Sequence, residues 1–354
     1  MRLLVITNDY PPKPGGIQQY LGNLVAAWPD PVHVIAPAAE STHDAGGVSR
    51  GEAAFMWPTR ATGDWIVGRA ERFAPDAVLF GAPYPLAYLG PRLGDRLRVP
   101  YAVLAHGAEV TLPAAAPGFR QAIAKALGDA DVRFAVSRYT VDRVERLTGK
   151  DVVYLGAGVN IDVFVPPPDG RNEAPVVGCV SRFIPRKGQH RLLEAVARMD
   201  RPVEVLVVGK GRTEAKLRRL ADRLGVRARF VVDPPWTELS GLYRSMDVFC
   251  MPCASRWGGL EVEGLGLVFL EAAATGLPVL AGDSGGSSET VLPGESGFVV
   301  RSVDDIVQGL DILFDDPQRA REMGAAGRRF VEDRFTWDQV VDRLLSGFDQ
   351  RLRK

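Results

Sequence analysis

Two carboxylates separated by seven residues stand out in this 354-residue sequence: Glu263-Gly-Leu-Gly-Leu-Val-Phe-Leu-Glu271. Glu263 lies in a glycine-rich loop, and Glu271 falls about one turn into the helix that follows, which Gly276 and Pro278 terminate. Glycines ahead of a helix let backbone N–H groups approach an anion closely, and the positive end of the helix dipole favours negative charge there. A carboxylate one turn further in can accept from two vicinal hydroxyls such as those of a ribose. A loop glutamate followed by a helical glutamate would give the same letters without any ligand.

A second constellation is Ser181-Arg182-Phe-Ile-Pro-Arg186-Lys187-Gly188, directly after the apolar run Val176–Val180. Three cations on one strand-to-helix turn repel one another unless an anion sits among them. Arginine offers a planar fork for phosphate oxygens and lysine a mobile point charge. A solvated basic turn is the competing reading. Gly15-Gly16 occupies another strand-to-helix turn, where it serves either close approach of a reacting group or a plain tight turn. His106, in His106-Gly107-Ala108-Glu109, follows the run Tyr101–Ala105. A lone histidine is usually structural, but the carboxyl end of a parallel strand is where open α/β sheets bind ligands. Val208-Gly209-Lys210-Gly211-Arg212 puts two glycines and two cations at a further strand end.

These residues need scaffolding, and the sequence supplies a repeating one. Continuous apolar runs at Leu3–Thr7, Val32–Ala36, Ala77–Phe80, Tyr101–Ala105, Val132–Val136 and Val152–Leu155 read as parallel strands covered on both faces. Stretches of helical spacing lie between them, such as Gln18–Ala27 and Ala122–Ala130. The series restarts with Val176–Val180, Val203–Val208, Ala228–Val232, Val248–Met251, Val279–Ala281 and Phe298–Val300. The break contains Pro166-Pro167-Pro168-Asp169-Gly170, which reads as a stiff exposed linker. The expected fold is therefore α/β, with two Rossmann-like doubly wound domains, 1–165 and 166–335, facing across a cleft. A closing helix, 336–354, is expected to return to the first domain.

Composition excludes some classes. The 43 basic residues cancel the 43 acidic ones, so no global field gathers nucleic acid. The amino-terminal apolar run is too short for a signal peptide, and no run of roughly 18 apolar residues could span a bilayer, so the protein is expected in the cytoplasm. The three cysteines fit a reducing compartment. Cys250 and Cys253 form a Cys-x-x-Cys, but the histidines at 33, 43, 106 and 190 are scattered singly, and Pro252 lies inside the pair, so packing is the expected role.

The order Gly-Gly loop, His-Gly, Ser-Arg-x-x-x-x-Lys-Gly, Val-Gly-x-Gly and Glu-x7-Glu resembles the retaining GT-B glycosyltransferases related to glycogen and sucrose synthases, over nearly the whole chain. Thr7-Asn8-Asp9 with Pro11-Pro12 and Gly15-Gly16-Ile17-Gln18, Pro185-Arg-Lys-Gly-Gln189 and Gly258-Gly-Leu-Glu-Val-Glu-Gly-Leu-Gly266 look like the actinobacterial phosphatidylinositol-mannoside mannosyltransferases. The resemblance implies transfer of mannose, with retention, from GDP-mannose to a mannosylated phosphatidylinositol, with no metal or other cofactor. It implies that Arg182 and Lys187 neutralise the diphosphate and that Glu271 holds the ribose. Glu263 would meet the sugar hydroxyls, with amides at Gly266, Leu267 and Val268 on the phosphate. Gly16 would shape a loop over the donor, and His106 would line the sugar pocket. Ala108 departs from the histidine that close relatives often carry there, which bears on the acceptor. A UDP-sugar enzyme acting on an inositol derivative or natural-product core is one alternative, and a non-catalytic nucleotide-sugar or lipid-phosphate binding protein is another. A lipid acceptor would bring peripheral contact with the inner face of the plasma membrane, through Trp57–Phe73 (Trp65, Ile66, Val67, Arg69, Arg72) or Thr111–Lys125 (Arg120, Lys125), unless Trp65 and its neighbours pack a helix onto the sheet.

Overall fold

Runs of Val, Ile, Leu and Ala flanked by turn residues become short parallel strands, because helices on both faces leave no polar side to serve. The computed structural model describes residues 1–39, 47–111, 116–167 and 174–352. Its strands are β1 Leu3–Ile6, β2 Val32–Ala36, β3 Val48–Arg50, β4 Ala77–Phe80, β5 Tyr101–Ala105, β6 Val132–Ala135, β7 Val153–Tyr154, β8 Val176–Val180, β9 Glu204–Gly209, β10 Ala228–Val232, β11 Val248–Met251, β12 Val279–Gly282 and β13 Gly297–Val300. Its α-helices are α1 Gly16–Ala26, α2 Arg60–Phe73, α3 Gly90–Leu97, α4 Pro117–Gly128, α5 Arg138–Thr148, α6 Gln189–Val196, α7 Glu214–Leu224, α8 Trp236–Arg244, α9 Leu267–Ala274, α10 Val303–Asp315, α11 Pro317–Arg334 and α12 Trp337–Leu352. Each strand expected from an apolar run is present, its ends displaced by no more than one residue. β3 had no such run: Val48-Ser49-Arg50 is a half-buried edge, and its pairing to β2 rather than its own composition makes it a strand.

The chain forms two compact units, Met1–Gly158 with the closing helix α12, and Val159–Thr336. The first holds a seven-stranded sheet in the order β3-β2-β1-β4-β5-β6-β7, the second a six-stranded sheet in the order β10-β9-β8-β11-β12-β13. Pairings within both are parallel. The first break between the units falls after Gly158, ahead of the proline run, because 159–165 is packed into the second unit. Val159 bridges Thr336 and donates its N–H to Phe335 O at 2.8 Å. Buried Phe164 meets the ring of Tyr243 edge-on at 5.6 Å, and Arg328 donates to the carbonyls of Phe164 and Ala274. Most of the linker run, from Pro168 onward, lies outside the described residues.

Strand order reverses direction between β1 and β4 in the first sheet and between β8 and β11 in the second. At such a switch point the loops leaving the two strands diverge and open a crevice at their carboxyl ends. In the second unit that end is drawn together by close backbone approaches. A Cβ on Gly188, which has φ +75°, would stand 2.1 Å from Pro252 O; one on Gly209, with φ +135°, would stand 2.1 Å from Ser181 O. No side chain fits either place, so these glycines lock the loops after β8, β9 and β11 against one another.

Gly188→Ala is expected to lower the unfolding free energy by about 2 kcal/mol or more, combining an unfavourable φ with a clash against backbone. Urea unfolding followed by circular dichroism measures it. An alanine variant as stable as wild type would mean that the loops after β8 and β11 do not depend on this contact.

Candidate functional site

The loop after β8 ends in a single 3-10 turn, Pro185–Lys187, closed by Gly188. That turn points Arg186 and Lys187 inward: both are buried, whereas Arg182 at the start of the same loop is exposed and has no ion pair among the described residues. The loop after β11 returns through a tight pairing of Arg256 with Glu261 and then delivers Glu263. The Glu263 N–H donates to Ser284 Oγ at 3.1 Å, and its carbonyl accepts from Gly286 N at 3.0 Å, which ties in the loop after β12. Three loops from adjacent strands thus fix one carboxylate.

Arg186 Nη1 and Lys187 Nζ both donate to Glu263 Oε2, the latter at 2.6 Å. Glu263 Oε1 accepts from no donor among the described residues. Arg186 Nε also lies 3.9 Å from Glu261 Oε1, and Glu261 Oε2 lies 3.1 Å from Arg256 Nη1. The result is a line of alternating charge, Arg256–Glu261–Arg186–Glu263–Lys187, with one more cation than anions. Burial by itself would push the Glu263 carboxyl up, but Lys187 and Arg186 overcome it and hold the group at about 2. A charge cluster this buried is costly to assemble and adds little net stability, so it points to chemistry.

Next along the chain, Gly266 adopts φ +94°, and a Cβ there would stand 2.6 Å from the Phe269 ring. Glycine therefore starts α9, and the N–H groups of Leu267 and Val268 begin a helix with no intrahelical acceptor. Glu271 follows on the buried side of α9, where its Oε2 accepts the hydroxyl of Tyr243 at 2.7 Å. Burial, and then the carboxylate, push the Tyr243 hydroxyl well above its ordinary value, so it remains a donor.

In the first unit, His106 follows β5 and Gly81 follows β4, the two loops flanking that sheet's switch point on one side. His106 Nε2 lies 3.0 Å from Gly81 O, and its ring packs edge-on against Tyr20 of α1, centroids 5.3 Å apart. A carbonyl only accepts, so Nε2 carries the proton and Nδ1 is left with a lone pair. Burial lowers the His106 pKa against the opposing pull of Glu109, the Gly81 carbonyl and Asp9, which keeps the ring neutral. Glu109 Oε1 takes the N–H groups of His106 and Gly107 and so sets the loop. Gly16 opens α1 with no atom within 4 Å of where a Cβ would be. Asp9 Oδ1 accepts from Gln18 Nε2 at 2.6 Å, steadying the loop that leads there.

Of the residues picked from sequence, the structure gathers Lys187, Glu263, Gly266, Leu267, Val268 and Glu271 at one end of the second sheet, while His106 and Gly16 lie in the first unit. Arg186, Tyr243 and Ser284 were missed as site residues. Arg186 was visible as one of three clustered cations; the other two left no local trace. Cys179, Cys250 and Cys253 are all buried and free, and burial holds the Cys253 thiol at about 12, which makes the pair core packing. The one Asp-x-Asp of the sequence, Asp129-Ala130-Asp131, precedes β6 at the amino end of its strand, where Asp131 Oδ2 accepts from Tyr101 N. Among the described residues no three His, Cys, Asp or Glu side chains are grouped to hold a metal ion.

Because Glu263 is held ionised in the fold, its contribution to stability is present above the ordinary carboxyl value of 4.5 and is lost as pH falls toward about 2. Unfolding free energy measured from about pH 6 to about pH 3 should fall by roughly 2 kcal/mol from this group alone. Glu263→Gln should remove that part of the slope. An unchanged slope in the variant would overturn the assignment.

Residues 166–330 match the family described as glycosyl transferases group 1, and residues 14–163 match glycosyltransferase family 4. The chain is 35% identical to the GDP-mannose-dependent monoacylated α-(1-6)-phosphatidylinositol monomannoside mannosyltransferase of Corynebacterium glutamicum, over 97% of this chain and 96% of that one. It is 39% identical to the corresponding GDP-mannose-dependent enzyme of Mycolicibacterium smegmatis, over 95% of each. Among solved structures, Anabaena HepE in complex with UDP superposes with a TM-score of 0.84 at 19% identity, over 99% of this chain and 100% of that one.

Proposed function

The chain belongs to the group 1 glycosyltransferases, and on that premise we propose that it transfers mannose, with retention, from GDP-mannose to a mannosylated phosphatidylinositol. The observation that carries this reading is the buried Arg186–Glu263–Lys187 cluster beside the start of α9, in a chain 35% and 39% identical to relatives of that named activity. Breaking the anomeric bond places charge on the β-phosphate. Lys187, the exposed fork of Arg182 and the amides at Gly266, Leu267 and Val268 are the groups of this unit suited to receive it, preorganised before the charge develops. Glu271, steadied by Tyr243, serves the ribose hydroxyls, and the unoccupied Oε1 of Glu263 serves the hydroxyls of the sugar. In the first unit, His106 Nδ1 keeps a lone pair able to accept from a hydroxyl, and Gly16 leaves open space at the start of α1. Retention follows if the acceptor attacks from the face the leaving group vacates, the phosphate taking its proton. Side-chain cations fill the role a divalent ion would have.

A lipid acceptor keeps its acyl chains in the membrane, and among the described residues no helix is long and apolar enough to cross one. Peripheral contact at the inner face of the plasma membrane then needs an exposed apolar patch with cations beside it. The two stretches expected from sequence contribute unequally. Ile66 is fully buried and Trp65 is only partly so, with Arg69 stacked 3.9 Å above its ring, so this part of α2 packs on the sheet. Trp57 and Phe119 are instead about half exposed, at 54% and 46%. Tyr84 joins them, 6.4 Å from Trp57 and 5.5 Å from Phe119, and Phe55 extends the strip. Arg60 and Arg120 flank it in sequence, exposed. Residues 112–115 of the second stretch lie outside the described residues.

Released nucleotide measured against a panel of GDP- and UDP-sugars, with phosphatidylinositol mannoside as acceptor, should show GDP-mannose preferred and turnover persisting in excess EDTA. Lys187→Ala and Arg182→Ala should each lose on the order of a hundredfold in rate while unfolding normally. Preference for a UDP-sugar, or full loss in EDTA with rescue by a divalent ion, would overturn the reading. In cosedimentation, vesicles containing phosphatidylinositol should bind the protein better than neutral ones, less so as salt rises, and Trp57→Ala with Phe119→Ala should weaken that binding. Equal, negligible binding to both vesicles with efficient transfer to a soluble acceptor would remove the membrane contact.

A further inference from the structure

We propose that Arg186 is a positioning residue that keeps the Glu263 carboxylate aimed at the transferred sugar once Lys187 turns to the donor diphosphate; this rests on the donor site assigned above. Both cations now converge on the same oxygen, Glu263 Oε2, so each could hold it without the other. They differ in how firmly they are held. Arg186 sits between two carboxylates, Glu263 and Glu261, and its carbonyl accepts from Ala254 N at 3.0 Å. Glu261 is in turn fixed by Arg256 across the tight pairing of 256 with 261. Lys187 Nζ has Glu263 alone among the described residues, on a flexible stem. A diphosphate arriving beside the turn would therefore draw away the lysine and leave the arginine.

The charge count supports the same division. With Lys187 on phosphate, the remaining line Arg256–Glu261–Arg186–Glu263 contains two cations and two anions and is balanced. Without Arg186, Glu263 would be a buried carboxylate near an added anion, with no cation of its own. Among the described residues, Cys253 after β11 feels the Glu263 charge, and its thiol is held at about 12 by burial, while Glu261 and Arg256 pair with each other on the same loop. A carboxylate so placed takes up a proton and loses capacity as an acceptor for sugar hydroxyls. Arg186 makes no contact with the reacting atoms; it acts through Glu263.

The experiment pairs nucleotide binding with turnover. Calorimetric titration of GDP, which has no sugar for Glu263 to meet, should show Arg186→Ala within about threefold of wild type, whereas Lys187→Ala should weaken GDP by on the order of tenfold or more. Turnover of GDP-mannose on phosphatidylinositol mannoside should fall roughly thirtyfold or more in Arg186→Ala, with the acid limb of the kcat profile moved to higher pH. Arg186→Lys should recover much of the rate. Arg186→Ala combined with Glu263→Gln should be no slower than Glu263→Gln alone, within about threefold, because one acts through the other. Multiplying losses in that cycle, or GDP affinity falling as far in Arg186→Ala as in Lys187→Ala, would overturn the proposal and make Arg186 a phosphate ligand. Unchanged GDP affinity in Lys187→Ala would instead remove the donor-site assignment itself. Should Arg186→Ala not fold, Arg186→Gln, which keeps a donor at that position but no charge, carries the same cycle.

Discussion

One buried carboxylate organises the second unit. Glu263 is withdrawn from water, and a charge in that position is tolerable only with cations against it and its backbone satisfied. Both conditions are met from outside its own loop: Arg186 and Lys187 come from the turn after β8, and Ser284 and Gly286 from the turn after β12. The strand order puts these turns side by side, since β8, β11 and β12 are neighbours in the sheet. The topology thus creates the electrostatic site directly, and α9 begins four residues beyond Glu263, at Leu267, with its amides facing the same end.

The first unit solves a different problem by similar means. Its candidate group is a neutral imidazole, and the surroundings enforce that state. Burial opposes the charged ring, a carbonyl claims the proton on Nε2, and Glu109 spends one oxygen on the backbone of the loop instead of on the ring. The edge of the ring is pressed against Tyr20, whose own hydroxyl donates to Gly156 O at 2.9 Å. Tautomer, protonation and orientation are all settled by neighbours from β4, β5 and α1.

The scaffold was legible because a strand covered on both faces advertises itself as an uninterrupted apolar run. Leu3–Ile6 and Ala77–Phe80 are strands for that reason, and Val48–Arg50, an edge with one apolar residue, could not be read that way. The proline run drew the domain boundary too late because proline content reports local stiffness, while the place of 159–165 was decided by Phe164 and Arg328, contacts spanning much of the second unit. Within the candidate site, spacing singles out Glu263, Glu271 and Lys187 as candidates but cannot say which of Arg182 and Arg186 faces inward. A single 3-10 turn at Pro185–Lys187 decides it. The pairing of Glu263 with cations 76 and 77 residues earlier, and of Glu271 with a tyrosine 28 residues earlier, is a property of strand order and leaves no trace in local sequence.

The backbone contacts at Gly188 and Gly209 have a bearing on how such a site can diversify. Three loops that touch through main chain, with no side chain between them, behave as a single casting. An insertion in one displaces the others, so loop length is a poor lever for changing what the site accepts. Variation is confined to side chains projecting from a fixed frame, and a loop transplanted from a related enzyme would have to arrive together with the loops it abuts.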